Sequence, residues 1–193
     1  MRKIRCVFFR RQSRRKNTPL FFLRPPEAAS KRTSYFEHVT YPDGFFDFIY
    51  SWGVVHHTPN TPKAVGEIHR VLKKGGQAKI MIYRKRSLVG YMLWLRYAAL
   101  KGKFFTSLDE IYAKHLESPG TKAYTVKGAR ELFNNFDSVN IRTVLTHGDL
   151  LSSQAGQRHQ GLLLTIARKL MPRKLIRAVF PGHGLFMLIE AVV

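Results

Sequence analysis

Within the seven residues from Ser51 to His57 the chain collects a hydroxyl, an indole, a glycine and two adjacent imidazoles. Imidazoles donate, accept or exchange a proton near neutral pH. Glycine lets backbone approach a ligand closely, and tryptophan offers a flat apolar wall. Ser51, Trp52, Gly53, His56 and His57 are therefore the residues at which a search for a functional site starts. The same residues also have structural uses. The two histidines can hydrogen-bond the turn into the next element, Trp52 can be core, and Gly53 can mark a bulge. No cysteine lies nearby, and Asp47 and Glu67 do not stand at a metal-ligand spacing, so no metal centre is expected. Asp47 at a strand start and His69 in mid-helix read as structural.

The elements that must position these residues are legible on either side. Pro42-Asp43-Gly44 is turn chemistry that delivers the chain into Phe46 to Val55, a β-rich apolar run suited to a strand covered on both faces. Asn60 or Thr61 can accept from the first helical amides, and Pro62 suits the first turn. Ala64, Val65, Ile68, Val71 and Leu72 then fall on one helical face. The pattern predicts a helix from Thr61 to Lys74, ended by Gly75-Gly76, and a second strand from Gln77 to Tyr83. Strand, helix, strand in this order is a step of a parallel α/β sheet with a right-handed crossover. Ligands of such sheets lie beyond the carboxyl ends of the strands, which is where Ser51 to His57 falls.

Further along, Leu88 to Leu100 predicts a helix that is apolar nearly all round but too short to span a bilayer, and so a buried helix or a site cover. Ser107 caps another helix with acids in its first turn, Thr125 to Asn134 forms one more, and Ser138 to Thr146 a strand. Residues 147–161 read as a polar loop, Leu162 to Phe180 as a basic amphipathic stretch broken by Pro172, and Leu185 to Val193 as a closing apolar strand.

Composition bounds the partners. The chain has 193 residues with 33 Lys plus Arg against 12 Asp plus Glu, a formal charge of +21. Such a field attracts nucleic acid or anionic membrane surfaces without specificity. Residues 1–38 carry eleven basic residues against Glu27 and Glu37, with no sustained hydrophobic period. This segment is expected to be a basic, disordered leader, with residues 39–193 forming the folded domain. A second basic run, Arg158 to Arg177, holds six basic residues and no acid. The single cysteine, Cys6, excludes an internal disulfide and points to a reducing, cytoplasmic setting. The Arg-rich, acid-poor start also has the character of an organelle transit peptide, and no early apolar run is long enough for secretion.

The segment FDFIYSWGVVHHTPNTPKAVGEIHRVLKKGG resembles the middle of a class I S-adenosylmethionine-dependent methyltransferase of the small-molecule type. TKAYTVKGARELFNNFDSVNIRTVL and GHGLFMLIEAVV are similar to the closing helix and the last two strands of that fold. The resemblance covers Tyr41 to Val193. It implies an α/β fold, a partial Rossmann-like methyltransferase sheet made of strands four to seven with flanking helices, the N-terminal half of the sheet being missing. It also implies S-adenosylmethionine as cofactor, with Ser51, Trp52 and Gly53 near its methionine portion, and His56 and His57 at the mouth of a pocket for a small-molecule or lipid-like acceptor. The chain departs from the family in having no glycine before Gly44, hence no glycine-rich cofactor loop. Two further expectations follow. Activity of this chain alone is in question, and the first remaining strand is expected to expose an edge open to self-association. The competing reading is a noncatalytic basic protein that binds nucleic acid or an anionic membrane surface.

Overall fold

The structure, a computed structural model, describes residues 5–9, 21–22, 37, 39–116, 120–146, 149 and 173–193. Its strands are β1 (Arg5–Phe9), β2 (Phe21–Phe22), β3 (Phe46–Trp52), β4 (Leu72–Tyr83), β5 (Ser138–Val144) and β6 (Phe186–Val192). Its α-helices are α1 (Thr61–Val71), α2 (Leu88–Tyr97), α3 (Leu108–His115), α4 (Val126–Leu132) and α5 (Arg173–Val179). The chain divides into two compact units, residues 1–83, 122–142 and 188–193 in one and residues 84–121 and 143–187 in the other.

The sheet runs β2-β1-β3-β4-β6-β5. β3 and β4 are parallel and joined through α1, as the sequence pattern requires, with Ile49 opposite Ala78, Ser51 opposite Ile80 and Trp52 opposite Met81. Alternate residues are buried on β3 (Ile49, Ser51) and β6 (Met187, Ile189, Ala191), whereas β4 buries Ala78 and then every residue from Ile80 to Tyr83, as a strand covered on both faces does. α1 contributes Ala64, Val65, Ile68 and Val71 to the same core and packs against β4. Each fully buried Val or Ile of this kind contributes on the order of 1.5–3 kcal/mol. Arg70 ties the preceding turn to α1. Its guanidinium donates to Glu67 Oε1 at 3.0 Å and Oε2 at 2.8 Å, to the Val39 carbonyl at 2.8 Å and to the Tyr41 carbonyl at 3.0 Å.

Several boundaries differ from the sequence reading. β3 ends at Trp52, not Val55, because Gly53 turns the chain at φ +70 and Val55–His57 forms a 3-10 turn. α1 ends at Val71, not Lys74. Leu72 is already extended (φ −78, ψ 141), buried and paired opposite Phe46, so strand pairing overrides the helix that Lys73 and Lys74 would have continued. Gly75 and Gly76 thus lie inside β4, where the register shifts between Phe46 and Phe48. Gly75 takes φ +76 there and donates its amide to the Val193 carbonyl. The helix expected from Leu88 to Leu100 is α2 followed by a 3-10 turn at Ala99–Lys101.

The segment expected to lack regular structure contains β1 and β2. β1 lies antiparallel along β3, from Arg5 opposite Trp52 to Phe9 opposite Phe48, and so occupies the edge expected to be open. The loop at 147–161 lies outside the described residues except for Asp149, and so does the Leu162 to Phe180 stretch before Arg173.

The second unit has its own packing. Leu93, Ala98 and Ile111 form a buried cluster with Val89, Trp94, Tyr97 and Leu116 around it. Ser87 caps α2, its Oγ accepting from Gly90 N at 3.1 Å and lying 2.7 Å from Tyr112 Oη.

Candidate functional site

The turn after β3 is built by its own backbone. His57 N donates to the Val54 carbonyl at 2.9 Å, and Thr58 N and Oγ1 donate to the Val55 carbonyl at 3.2 and 2.7 Å. Asn60 then caps α1 by accepting from Lys63 N at 3.0 Å. The segment before α4 closes the far side. Lys122 N donates to the His56 carbonyl at 3.2 Å, Lys122 Nζ donates to the Thr58 carbonyl at 2.8 Å, and Tyr124 N donates to the Tyr83 carbonyl at 2.9 Å. The residues from Ser51 to His57 are thereby fixed at the carboxyl ends of two parallel strands, the position expected of a ligand site in such a sheet.

Within this frame the five candidates differ. Ser51 is fully buried, and its Oγ meets no hydrogen-bond partner among the described residues. Trp52 is 38% exposed and stacks on Tyr50 with centroids 6.2 Å apart. Gly53 occupies the left-handed region, and a Cβ built there would lie 3.5 Å from Met81 Cε, an ordinary contact. The glycine is thus required by conformation, not by space.

The two histidines part ways. His56 has no exposed surface, its ring 4.2 Å from Tyr83 and 4.3 Å from His57. Neither ring nitrogen reaches a partner at hydrogen-bonding geometry among the described residues. Burial, and then the neighbouring His57, hold its imidazole well below the ordinary histidine range, and the nearby Met81 backbone offsets only part of this. His57 is half-buried and crosses Tyr83 edge to face at 6.3 Å. Of the pair, only His57 has surface to offer a substrate. Tyr83, which touches both rings, and Lys122, which holds the turn, escaped the sequence reading. The signal for Tyr83 was its place at the carboxyl end of the next parallel strand. For Lys122, 64 residues from Thr58, no local signal exists.

A depressed histidine pKa has a definite consequence for stability. The unfolded chain takes up a proton at His56 near the ordinary value while the folded chain does not. Stability from this group is therefore intact above about pH 6.5 and is lost as pH falls toward the folded pKa, by up to about 1.4 kcal/mol per pH unit. Urea unfolding should show a smaller stability at pH 5.5 than at pH 7.5, and His56→Phe should reduce that difference. An unchanged pH dependence in the variant would show that other groups carry it.

A groove of about 470 Å³ lies elsewhere in the same unit, lined by Val65, His69, Tyr124, Leu132 and Phe136 among others. None of the five candidate residues lines it. Among the described residues no group of three or more His, Cys, Asp or Glu side chains is placed to hold a metal ion, and no helix is long and apolar enough to cross a membrane.

Residues 12–80 match the family model of a methyltransferase domain. That match begins inside the basic segment 1–38 and ends within β4. No curated protein matches the chain in sequence. Among solved structures, an S-adenosylmethionine-dependent methyltransferase of Thermotoga maritima is 16% identical with a TM-score of 0.50, over 81% of this chain and 60% of that one. A second, from Archaeoglobus fulgidus, is 14% identical with a TM-score of 0.46, over 83% of this chain and 64% of that one. The chain thus spans about 60% of the length of the Thermotoga protein. The fold is that of a class I S-adenosylmethionine-dependent methyltransferase, in partial form, and the resemblance read in the sequence holds.

The residues present fit a polar ligand such as S-adenosylmethionine. The buried, unpartnered Ser51 Oγ is a free polar group, Gly53 brings backbone to the strand end, and Trp52 supplies an apolar wall.

Proposed function

We propose that the turn from Ser51 to His57 binds S-adenosylmethionine and that the chain carries the C-terminal part of a methyltransferase catalytic domain. The acceptor in this reading is a small molecule or a lipid-like compound, and the setting is cytoplasmic. The observation that carries the proposal is the combination of a left-handed Gly53 and a buried Ser51 hydroxyl without a partner, both at the carboxyl end of β3. The bound cofactor would supply a methyl group made electrophilic by the adjacent sulfonium. The chain's own residues would align and shield: Trp52 walls the site, Gly53 admits the ligand to the backbone, and His57 stands where an acceptor could be hydrogen-bonded. Methyl transfer asks mainly for alignment of nucleophile, carbon and sulfur, so no dedicated base is assigned.

The test is calorimetric titration of the purified, monodisperse chain with S-adenosylmethionine and with its demethylated product. Saturable binding in the micromolar range is expected. A chain that is cooperatively folded yet binds neither compound would overturn the proposal and leave the fold as a record of ancestry. In the supported case, a screen of oxygen, nitrogen and carbon acceptors follows, with and without lipid-like compounds.

A further inference from the structure

Among the described residues of the second unit, the connection between α2 and α3 stands out. Leu100, Lys101, Gly102, Lys103, Phe104 and Phe105 are six consecutive exposed residues. Leu100 is 64% exposed, Phe104 62%, and Phe105 fully exposed. Soluble surfaces rarely gather large apolar side chains in one place without a use for them.

These side chains are held out by structure. The core beneath them is already closed by Leu93, Ala98 and Ile111. Gly102 reverses the chain at φ +68, with its amide on the Ala99 carbonyl at 3.0 Å and the Lys103 amide on the Ala98 carbonyl at 2.9 Å. On the far side, Trp94 Nε1 pins the Thr106 carbonyl at 2.9 Å. The tip is thus anchored at both ends and presents Leu100, Phe104 and Phe105 around a glycine turn.

The charge surrounding it is of one sign. From Arg84 to Ser107 the sequence holds Arg84, Lys85, Arg86, Arg96, Lys101 and Lys103 and no acidic residue. The carboxylates that follow are engaged on α3: Asp109 pairs with Lys85, and Glu110 pairs with Lys114 at 2.6 Å while also feeling Lys103. Among the described residues, Arg96, Lys101 and Lys103 take part in no ion pair.

We propose that the Leu100–Phe105 tip is a docking surface for an anionic phospholipid bilayer, with Leu100, Phe104 and Phe105 entering the acyl boundary and Lys101 and Lys103 meeting lipid phosphates. The pattern of apolar side chains on either side of Lys101-Gly102-Lys103 suits that boundary, because lysine stems run along apolar surface while the amines stay at headgroup level. A single-stranded nucleic acid fits less well. Phe104 and Phe105 offer rings for stacking, but Leu100, 64% exposed, has no π-face, and Tyr97 is already covered by His115 in a parallel stack at 4.0 Å, so an aliphatic side chain stands where a run of bases would need a further ring. A second copy of the chain fits less well still, since two molecules of +21 would meet through surfaces of like charge. The proposal is independent of the cofactor reading, and its test does not involve the cofactor.

The full chain is sedimented with vesicles of phosphatidylcholine alone and of phosphatidylcholine mixed with phosphatidylglycerol. In parallel its affinity for polyuridylate is measured. The double variant Phe104→Ser, Phe105→Ser should need about tenfold more phosphatidylglycerol vesicle for half-binding, with polyuridylate binding unchanged. The double variant Lys101→Glu, Lys103→Glu should weaken binding to the anionic vesicles. An environment-sensitive dye on Phe105→Cys, in a Cys6→Ser background, should shift to the blue on phosphatidylglycerol vesicles. Exposed positions leave the fold intact, which an unchanged thermal midpoint verifies. Wild-type vesicle binding by the serine variant would overturn the proposal, as would an unshifted dye. Loss of polyuridylate binding in place of vesicle binding would reassign the tip to nucleic acid.

Discussion

Replacing Gly53 with valine should abolish saturable S-adenosylmethionine binding, a loss beyond about 100-fold in affinity, while costing about 1–2 kcal/mol of stability. Gly53 sits at φ +70, a region that β-branched residues avoid most strongly. Space is not the obstacle, because an added Cβ would only touch Met81 Cε at 3.5 Å. A valine would instead drive the chain to negative φ. That movement would carry Val54 and Val55 with it and break the hydrogen bonds they accept from His57 and Thr58. The turn that aims His57 would be lost while the sheet beneath it, Ser51 included, survived. Gly53→Ala separates the two contributions, since alanine tolerates the left-handed region better, and it should keep much of the binding. A valine variant that titrates like the wild type would show that this turn does not hold the cofactor.

Gly184→Ala should be the most damaging single substitution for folding, at roughly 3 kcal/mol or more. A Cβ at this position would lie 2.1 Å from the Val144 carbonyl oxygen, 2.2 Å from its carbon and 2.5 Å from Leu145 N. All three are backbone atoms, so no rotamer change relieves the overlap. The chain would have to separate at the end of β5. That separation endangers the neighbouring bonds, in which Leu185 N donates to Asp149 Oδ2 at 2.9 Å and Arg84 N donates to the Leu185 carbonyl at 2.7 Å. Leaving the buried Asp149 carboxylate short of a donor adds to the cost. Chemical denaturation measures this directly, and a variant within about 0.5 kcal/mol of the wild type, the range of an ordinary surface change, would refute the argument.

The sequence carried the local chemistry well. Ser107 was readable as a cap and Asn60 as one of two candidates beside Thr61; each side chain accepts from the amide three residues on, as does Thr125, which the sequence pattern makes the first residue of its helix. The parallel pairing of β3 and β4 was equally plain, because an apolar run, a capped amphipathic helix and a second run leave few alternatives. What local rules could not supply were outcomes decided by distant parts of the chain. Gly75-Gly76 is a strong helix stop by propensity, yet Leu72 left the helix earlier because Phe46, far away in sequence, offered a strand partner. The five candidate residues were found together at one strand end, but nothing in the adjacent pair HH distinguishes the buried His56 from the half-buried His57. Their difference comes from Tyr83 and from the Lys122 segment. β1 was missed for a related reason, since Arg5 to Phe9 is short, flanked by charge and defined only by the strand that it meets.

The absence of any connector between Val71 and Leu72 has a consequence for how this domain can vary in length. One residue added at that junction would move the buried Leu72 out of its place opposite Phe46 and turn its side chain away from the core, because side chains alternate at every step of a paired strand. The same insertion between Lys73 and Gly76 would be absorbed, since the register is already broken there and the pairing with β3 resumes only at Gln77. Length changes in relatives of this domain should therefore collect in that short excursion and spare the junction two residues earlier.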